Sequence, residues 1–191
     1  MKIFDCTTFY SEHLMMDIRF NILNEFVDKF IVCESTISHS GKKKKLNFDI
    51  NNYPKFKDKI NYIVIDEEPL NIIGDKNGLA EPYEQRSDSL KRIELSYDYM
   101  IKALSDVNDD DLIILSDNDE IPNLENINLK SFKEKIIVFK QKIFYYKFNL
   151  LYKRLDWYGT KCCRYKNLKT IDTLREIKPK KFNFFRIDTL F

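Results

Sequence analysis

Short, unbroken apolar runs, spaced by amphipathic stretches and closed by acids, constrain this chain more than any other feature. Lys29 to Cys33 ends at Glu34, Ile60 to Ile65 ends at Asp66, and Asp111 to Leu115 ends at Ser116-Asp117. Runs of this length are strands, and runs without polar alternation are strands buried on both faces, which is how a parallel sheet covered by helices reads. A first strand is predicted over Lys2 to Phe9. Glu12 to Phe26 follows as a helix with Leu14, Ile18, Ile22, Leu23 and Phe26 on its apolar side. A long helix is predicted over Pro82 to Ser105, carrying Leu90, Ile93, Leu95, Tyr97, Met100, Ile101 and Leu104, and an irregular or helical piece lies around Tyr53 to Lys57. Beyond Pro122 the pattern changes. Lys135 to Tyr146 and Trp157 to Tyr165 read as extended pieces of a mixed C-terminal extension. The fold class is α/β, with a mostly parallel central sheet flanked by helices, and ligands are expected at the C-terminal strand ends.

With 191 residues, 43% of them hydrophobic and 14% aromatic, the chain can build the core of one domain. Neither a repeat nor a Ser/Gly/Pro linker divides it. Basic and acidic residues nearly balance, 32 against 30, so no global field points to nucleic acid or to an anionic membrane. No run of about 18 apolar residues makes a membrane span, and the N-terminus lacks the apolar core of a signal peptide. Cys6, Cys33, Cys162 and Cys163 form no C-x-x-C pair. Reduced thiols in a cytoplasmic protein are the expectation.

The chemistry centres on Ser116-Asp117-Asn118-Asp119-Glu120. Read as extended backbone, Asp117 and Asp119 stand on one side, about 6–7 Å apart, and two carboxylates there suit Mg²⁺ or Mn²⁺ with a diphosphate as further ligand. A bare D-x-D is a weak signal; its place after a buried strand makes it a candidate metal and donor-diphosphate site. Asp109-Asp110-Asp111 precedes the same strand and reads as a turn. The run Lys42 to Lys45 is either a solvated loop or, with His39, a neutraliser of the diphosphate. Arg86 and Arg19 are ambiguous between surface ion pairs and nucleotide contacts, with the ion pair favoured for Arg19. Trp157 could face a sugar ring but is more often core. Cys162 and Cys163 should point to opposite faces and pack. G-x-S-x-G, G-x-G-x-x-G and G-x-x-x-x-G-K-[ST] are all lacking.

In order and spacing, these stretches resemble glycosyltransferase family 17. The resemblance is carried by Asp5 to Arg19, by Glu34-Ser35-Thr36 with His39-Ser40-Gly41-Lys42, by Tyr83-Glu84-Gln85-Arg86, by Ser116 to Pro122, and by Tyr145-Tyr146 with Trp157-Tyr158-Gly159-Thr160. It implies a GT-A type fold and inverting transfer of a sugar, GlcNAc from UDP-GlcNAc, to a glycan acceptor. Asp117 and Asp119 would then be the ligands of Mn²⁺ or Mg²⁺, and Glu34, His39, Lys42, Glu84, Arg86 and Asp117 would line the donor pocket. Residues 1–122 would form the nucleotide-sugar half and 123–191 the acceptor half. The family continues past the point where this chain reaches Arg186 to Phe191, so a shortened acceptor side is expected. Asp156 and Glu176 are the later acids nominated as base. The competing readings are a protein that binds donor without transfer, and a nucleotidyltransferase; Cys6 to Tyr10 lacks the Gly-rich loop usual in the latter.

Overall fold

The computed structural model describes residues 1–74, 81–104, 106–147 and 149–177. Ser105, at the end of the second predicted helix, and Arg186 to Phe191 lie outside them. Strand β1 (Ile3–Thr8) leads into helix α1 (His13–Leu23), then β2 (Lys29–Ser35), β3 (Ile60–Ile65), helix α2 (Pro82–Lys102) and β4 (Leu112–Leu115). There follow β5 (Ile136–Val138), β6 (Gln141–Phe144), β7 (Leu151–Trp157), β8 (Lys161–Arg164) and the short helix α3 (Ile171–Glu176). Six strands form one sheet in the order β3-β2-β1-β4-β8-β5. The first four are parallel, whereas β8 runs antiparallel between β4 and β5. The mixed extension expected after Pro122 is therefore present, but β6 and β7 leave it to form a two-stranded sheet of their own.

Alternation along each buried strand sends neighbouring side chains into two separate cores. Ile3, Phe30, Val32, Leu112, Ile114 and Cys162 pack with α1 on one face. Phe4, Ile31, Cys33, Ile113, Leu115 and Cys163 pack with α2 and α3 on the other. The vicinal cysteines split between the faces as expected. All four thiols are free and buried, and burial raises each above its ordinary pKa, Cys163 to about 11, so they are packing groups rather than nucleophiles.

The apolar side of α1 differs from its sequence reading. Leu14 and Ile22 are exposed, and the buried stripe is Met16, Arg19, Phe20 and Leu23. An arginine sits in the middle of that stripe. The i, i+3, i+4, i+7 spacing is intact only if Arg19 counts as a core residue, which is why the apolar pattern alone finds Leu23 and the partly buried Phe26 but takes Leu14 and Ile22 in place of Met16 and Phe20. Asp111 does act as a turn-holder, accepting hydrogen bonds from the Lys2 amide (2.6 Å) and the Asn108 amide (2.8 Å), which tie the β4 entrance to the start of β1. Among the described residues no helix is long and apolar enough to cross a membrane.

Candidate functional site

An open cleft of about 1930 Å³ lies across the C-terminal ends of β1, β2 and β4. Asp117 and Asp119 both line it, together with Glu12, His39, Lys44, Glu120, Trp157 and Arg175. The loop that carries the aspartates is not extended. Glu120 N donates to Asp117 O at 3.0 Å and closes a tight turn, because Asn118 and Asp119 are turn-forming residues released from β4 at Leu115.

Arg19 holds this turn from beneath. Its guanidinium is fully buried and paired with both oxygens of Asp5, at 2.7 and 2.5 Å. Its remaining donors reach the carbonyls of Asp117 (3.3 Å), Asn118 (3.5 Å) and Glu120 (3.2 Å) and the Ser116 hydroxyl (3.1 Å). A planar, always charged fork suits a task in which one side is neutralised and the other gathers backbone oxygens. The surface ion pair favoured from sequence is thus corrected to a buried one. Asp5 takes an α1-facing position in β1, paired in register with Ile114 of β4, so the anchor lies directly under the strand that feeds the loop.

Two further ties act from above. Asn118 donates to Glu12 at 2.8 Å, and Glu12 also caps the Tyr10 and Ser11 amides. Burial pushes the Glu12 carboxyl up, but these hydrogen bonds more than offset it and hold it below its ordinary value. On the far side, Thr160 donates to Glu120 O at 2.9 Å and its hydroxyl meets that of Ser116 at 2.9 Å. The Trp157 indole N–H donates to Glu120 Oε1 (2.7 Å), while Glu120 Oε2 accepts from the Asp117 amide (3.1 Å). Trp157 is therefore neither core nor free, being 44% exposed. Gly159 leaves room for this pair: a Cβ would stand 2.2 Å from the Glu120 carboxyl carbon and 2.5 Å from the indole nitrogen, so a larger residue would displace the Glu120–Trp157 contact.

Burial, then the charge of Asp117, raises Glu120 above the ordinary carboxylate range, against the pull of the Trp157 and Asp117 hydrogen bonds. Arg175 on α3 approaches Asp117 at 3.6 Å and lies over the Tyr97 ring. Neither Glu120 nor Arg175 was nominated from sequence. Glu120 was inside the quoted motif, overlooked because the aspartates explained it; Arg175 carries no local signal at all. The Asp119 carboxylate is exposed, and among the described residues no hydrogen bond or ion pair engages it.

The remaining nominees are scattered. Glu34 is buried, and its carboxylate accepts from Lys44 Nζ, the Asn47 amide (2.8 Å), the Phe48 amide (3.0 Å) and the Tyr62 hydroxyl (2.8 Å). Those contacts fasten the 44–48 loop across β2 and β3. Burial raises the pKa of the carboxyl, the four donors together lower it by more, and the net shift is downward. The stability Glu34 contributes is thus fully present above its unfolded pKa near 4.5 and is lost as pH falls through the folded value. Glu34→Gln is expected to flatten the loss of melting temperature below about pH 4.5, as read by thermal denaturation across pH.

His39 lines the cleft on a loop turned by Gly41 (φ 82°) and held by Arg92, which donates to His39 O at 3.1 Å. Burial lowers its pKa, as do Arg175, Arg92 and Arg86, against Asp117. At neutral pH its imidazole is therefore uncharged. Lys42, Glu84 and Arg86 do not line the cleft, and Glu84 completes the capping box of α2 by accepting from the Glu81 amide (2.9 Å). Asp156 pairs with Lys140 at 2.8 Å in an exposed ion pair, and Glu176 is exposed at the end of α3.

Among the described residues no three His, Cys, Asp or Glu side chains cluster to hold a metal. Two carboxylates with a free cleft before them suit a hard cation that takes its other ligands from water and phosphate, and not a closed structural site.

The family model described as Glycosyltransferase family 17 matches residues 1–176. Curated proteins named beta-1,4-mannosyl-glycoprotein 4-beta-N-acetylglucosaminyltransferase are similar to it at low identity. The rat protein is 26% identical over 130 residues, 66% of this chain and 22% of its own length. The human protein is 28% identical over 117 residues, 59% of this chain and 20% of its own. The chain thus spans about a fifth of the length of the curated relatives it matches. No solved structure gives a significant match. With the family model covering residues 1–176 of 191, this chain belongs to glycosyltransferase family 17.

Proposed function

We propose that the chain is an inverting, metal-dependent transferase of GT-A type that moves GlcNAc from UDP-GlcNAc to a glycan acceptor. The observation that carries this reading is the turn Asp117 to Glu120, fixed on four sides yet presenting Asp119 unengaged to the cleft. The sheet order, with three parallel crossovers and then an antiparallel β8 beside β4, supports the GT-A assignment. Asp117 and Asp119 would hold Mn²⁺ or Mg²⁺, which when bound supplies Lewis-acid stabilisation of a departing diphosphate. Arg175, now leaning on Asp117, is placed to turn towards the diphosphate. His39 offers a neutral hydrogen-bonding group on the β2 side.

An inverting reaction also needs an acceptor for the proton of the attacking hydroxyl. Glu120 is better placed for this than Asp156 or Glu176, because it lines the cleft beside Asp117 and they do not. Glu120→Gln is expected to keep the stabilisation given by donor and lose transfer. Loss of donor binding in that variant would leave Glu120 as a loop clamp only.

The test of the whole reading is a melting-temperature screen of UDP- and GDP-sugars with and without Mn²⁺. At a donor concentration of about 100 Kd, binding stabilises by about 2.7 kcal/mol. For a chain of this size that is a rise of roughly 5–10 °C. A flat response to every nucleotide sugar in the presence of metal would sink the proposal. A rise with donor but no UDP release would favour a donor-binding protein without transfer.

A further inference from the structure

Among the described residues the hairpin β6–β7 is bonded to neither edge of the main sheet, yet residues 140–147 and its Leu155 and Trp157 form one wall of the cleft. Its tip is a turn in which Tyr146 takes a left-handed conformation (φ 58°) and is 96% exposed. Tyr145 beside it is half exposed, 5.8 Å from the Tyr146 ring and 5.2 Å from that of Tyr152. Aromatic side chains left this open have not been spent on a core. Flat rings along a cleft wall offer apolar faces to the C–H faces of sugar rings.

Charge adds a second, independent observation. Between residues 140 and 157 there are five basic side chains and one acid, a local +4 in a chain whose total is +2. The single acid, Asp156, is already paired with Lys140. Among the described residues no carboxylate pairs with Lys142, Lys147, Lys153 or Arg154. The acids of the cleft are Glu12 and the β4-loop residues Asp117, Asp119 and Glu120, with Arg175 against Asp117, whereas the hairpin wall contributes Lys142 and Lys147, both lining the cleft, with no carboxylate pairing with either among the described residues.

We propose that the hairpin is the acceptor platform and that it selects an anionic oligosaccharide, its sugar rings on the tyrosines and its acidic groups at Lys142 and Lys147. This rests on the transferase reading above and adds the chemical class of the second substrate. Exposed tyrosines with lysines also suit an anionic lipid surface. The cleft-lining position of the same residues favours an occupant that enters the cleft, and a bilayer cannot.

The experiment measures oligosaccharide binding directly by calorimetry, in the absence of donor. A tetramer of galacturonic acid is expected to bind at least tenfold more tightly than neutral maltotetraose at low salt, and the preference should fade as salt rises. In the double variant Lys142→Glu, Lys147→Glu the preference should disappear, with the melting temperature as the control for folding. Tyr146→Ser should weaken both oligosaccharides alike. Equal binding of the two tetramers, or a preference that survives the double variant, overturns the proposal. So does lysine-dependent sedimentation with vesicles containing one quarter phosphatidylglycerol when neither tetramer is preferred, which would give the face to a membrane. Because no nucleotide sugar is present, failure of the donor screen would overturn the transferase reading and leave this preference standing or falling by itself.

Discussion

Arg19→Ala is expected to lower the melting temperature by about 10 °C and to abolish the stabilisation given by donor and Mn²⁺. Removing one partner of a buried ion pair leaves the other charged and unpaired, which costs about 3–5 kcal/mol. At roughly 2–4 °C per kcal/mol for a chain of this size, the fall is on the order of 10 °C. Here the stranded group is Asp5, fully enclosed between β1 and α1. The same substitution strips the hydrogen-bond donors from three carbonyls of the Asp117–Glu120 turn. The two effects can be separated. Replacing both partners with apolar residues, Asp5→Leu with Arg19→Met, removes the unpaired charge and should recover most of the lost stability, since buried pairs are often no better than well-packed hydrophobic substitutes. It cannot restore the turn. A double variant that melts near the parent temperature yet gives no donor response would show that Arg19 positions the turn beyond holding the fold. A double variant with normal donor response would refute that role.

Most of the architecture was legible because it follows from burial on both sheet faces. Strands such as Lys29–Ser35, with its run Phe30 to Cys33, and Leu112–Leu115 carry unbroken buried apolar runs, and in a parallel sheet that pattern has few other meanings, whereas β3, at the sheet edge, is buried only at Ile60 and Ile65. The hairpin was only half legible. Leu151–Trp157 is exposed along its whole length, so no face is selected for apolar residues and the period-2 signal that marks a strand is missing. The aspartates were legible as a local motif in context. What fixes them was not, because Arg19 lies 97 residues or more from the turn it holds, and Trp157 and Thr160 lie 37 or more beyond it. Contacts of that range are set by strand order, which the sequence does not display. Arg19 misled twice for the same reason: its charge concealed both the buried stripe of α1 and its own task.

Asp119→Ala should show the complementary outcome: no measurable loss of stability, no donor-dependent rise in melting temperature, and UDP release reduced by at least about 100-fold. An exposed carboxylate without a partner among the described residues gives up little when truncated, within about 0.5 kcal/mol. On the proposed reading its value lies in the charge it would offer to a cation, and loss of a preorganised electrostatic group in an active site commonly costs about 10²–10³ in rate. Asp117 is a less clean probe, since Arg175 at 3.6 Å would lose its partner and shift the electrostatics of the cleft even without ligand. Measured side by side, Arg19→Ala and Asp119→Ala divide the site into what builds it and what uses it. The first should fail in stability and binding together, the second in binding and turnover alone. If Asp119→Ala kept a Mn²⁺-dependent donor response, the cation would have to be held elsewhere, and the assignment of the turn as the metal site would fall whatever the fate of Arg19.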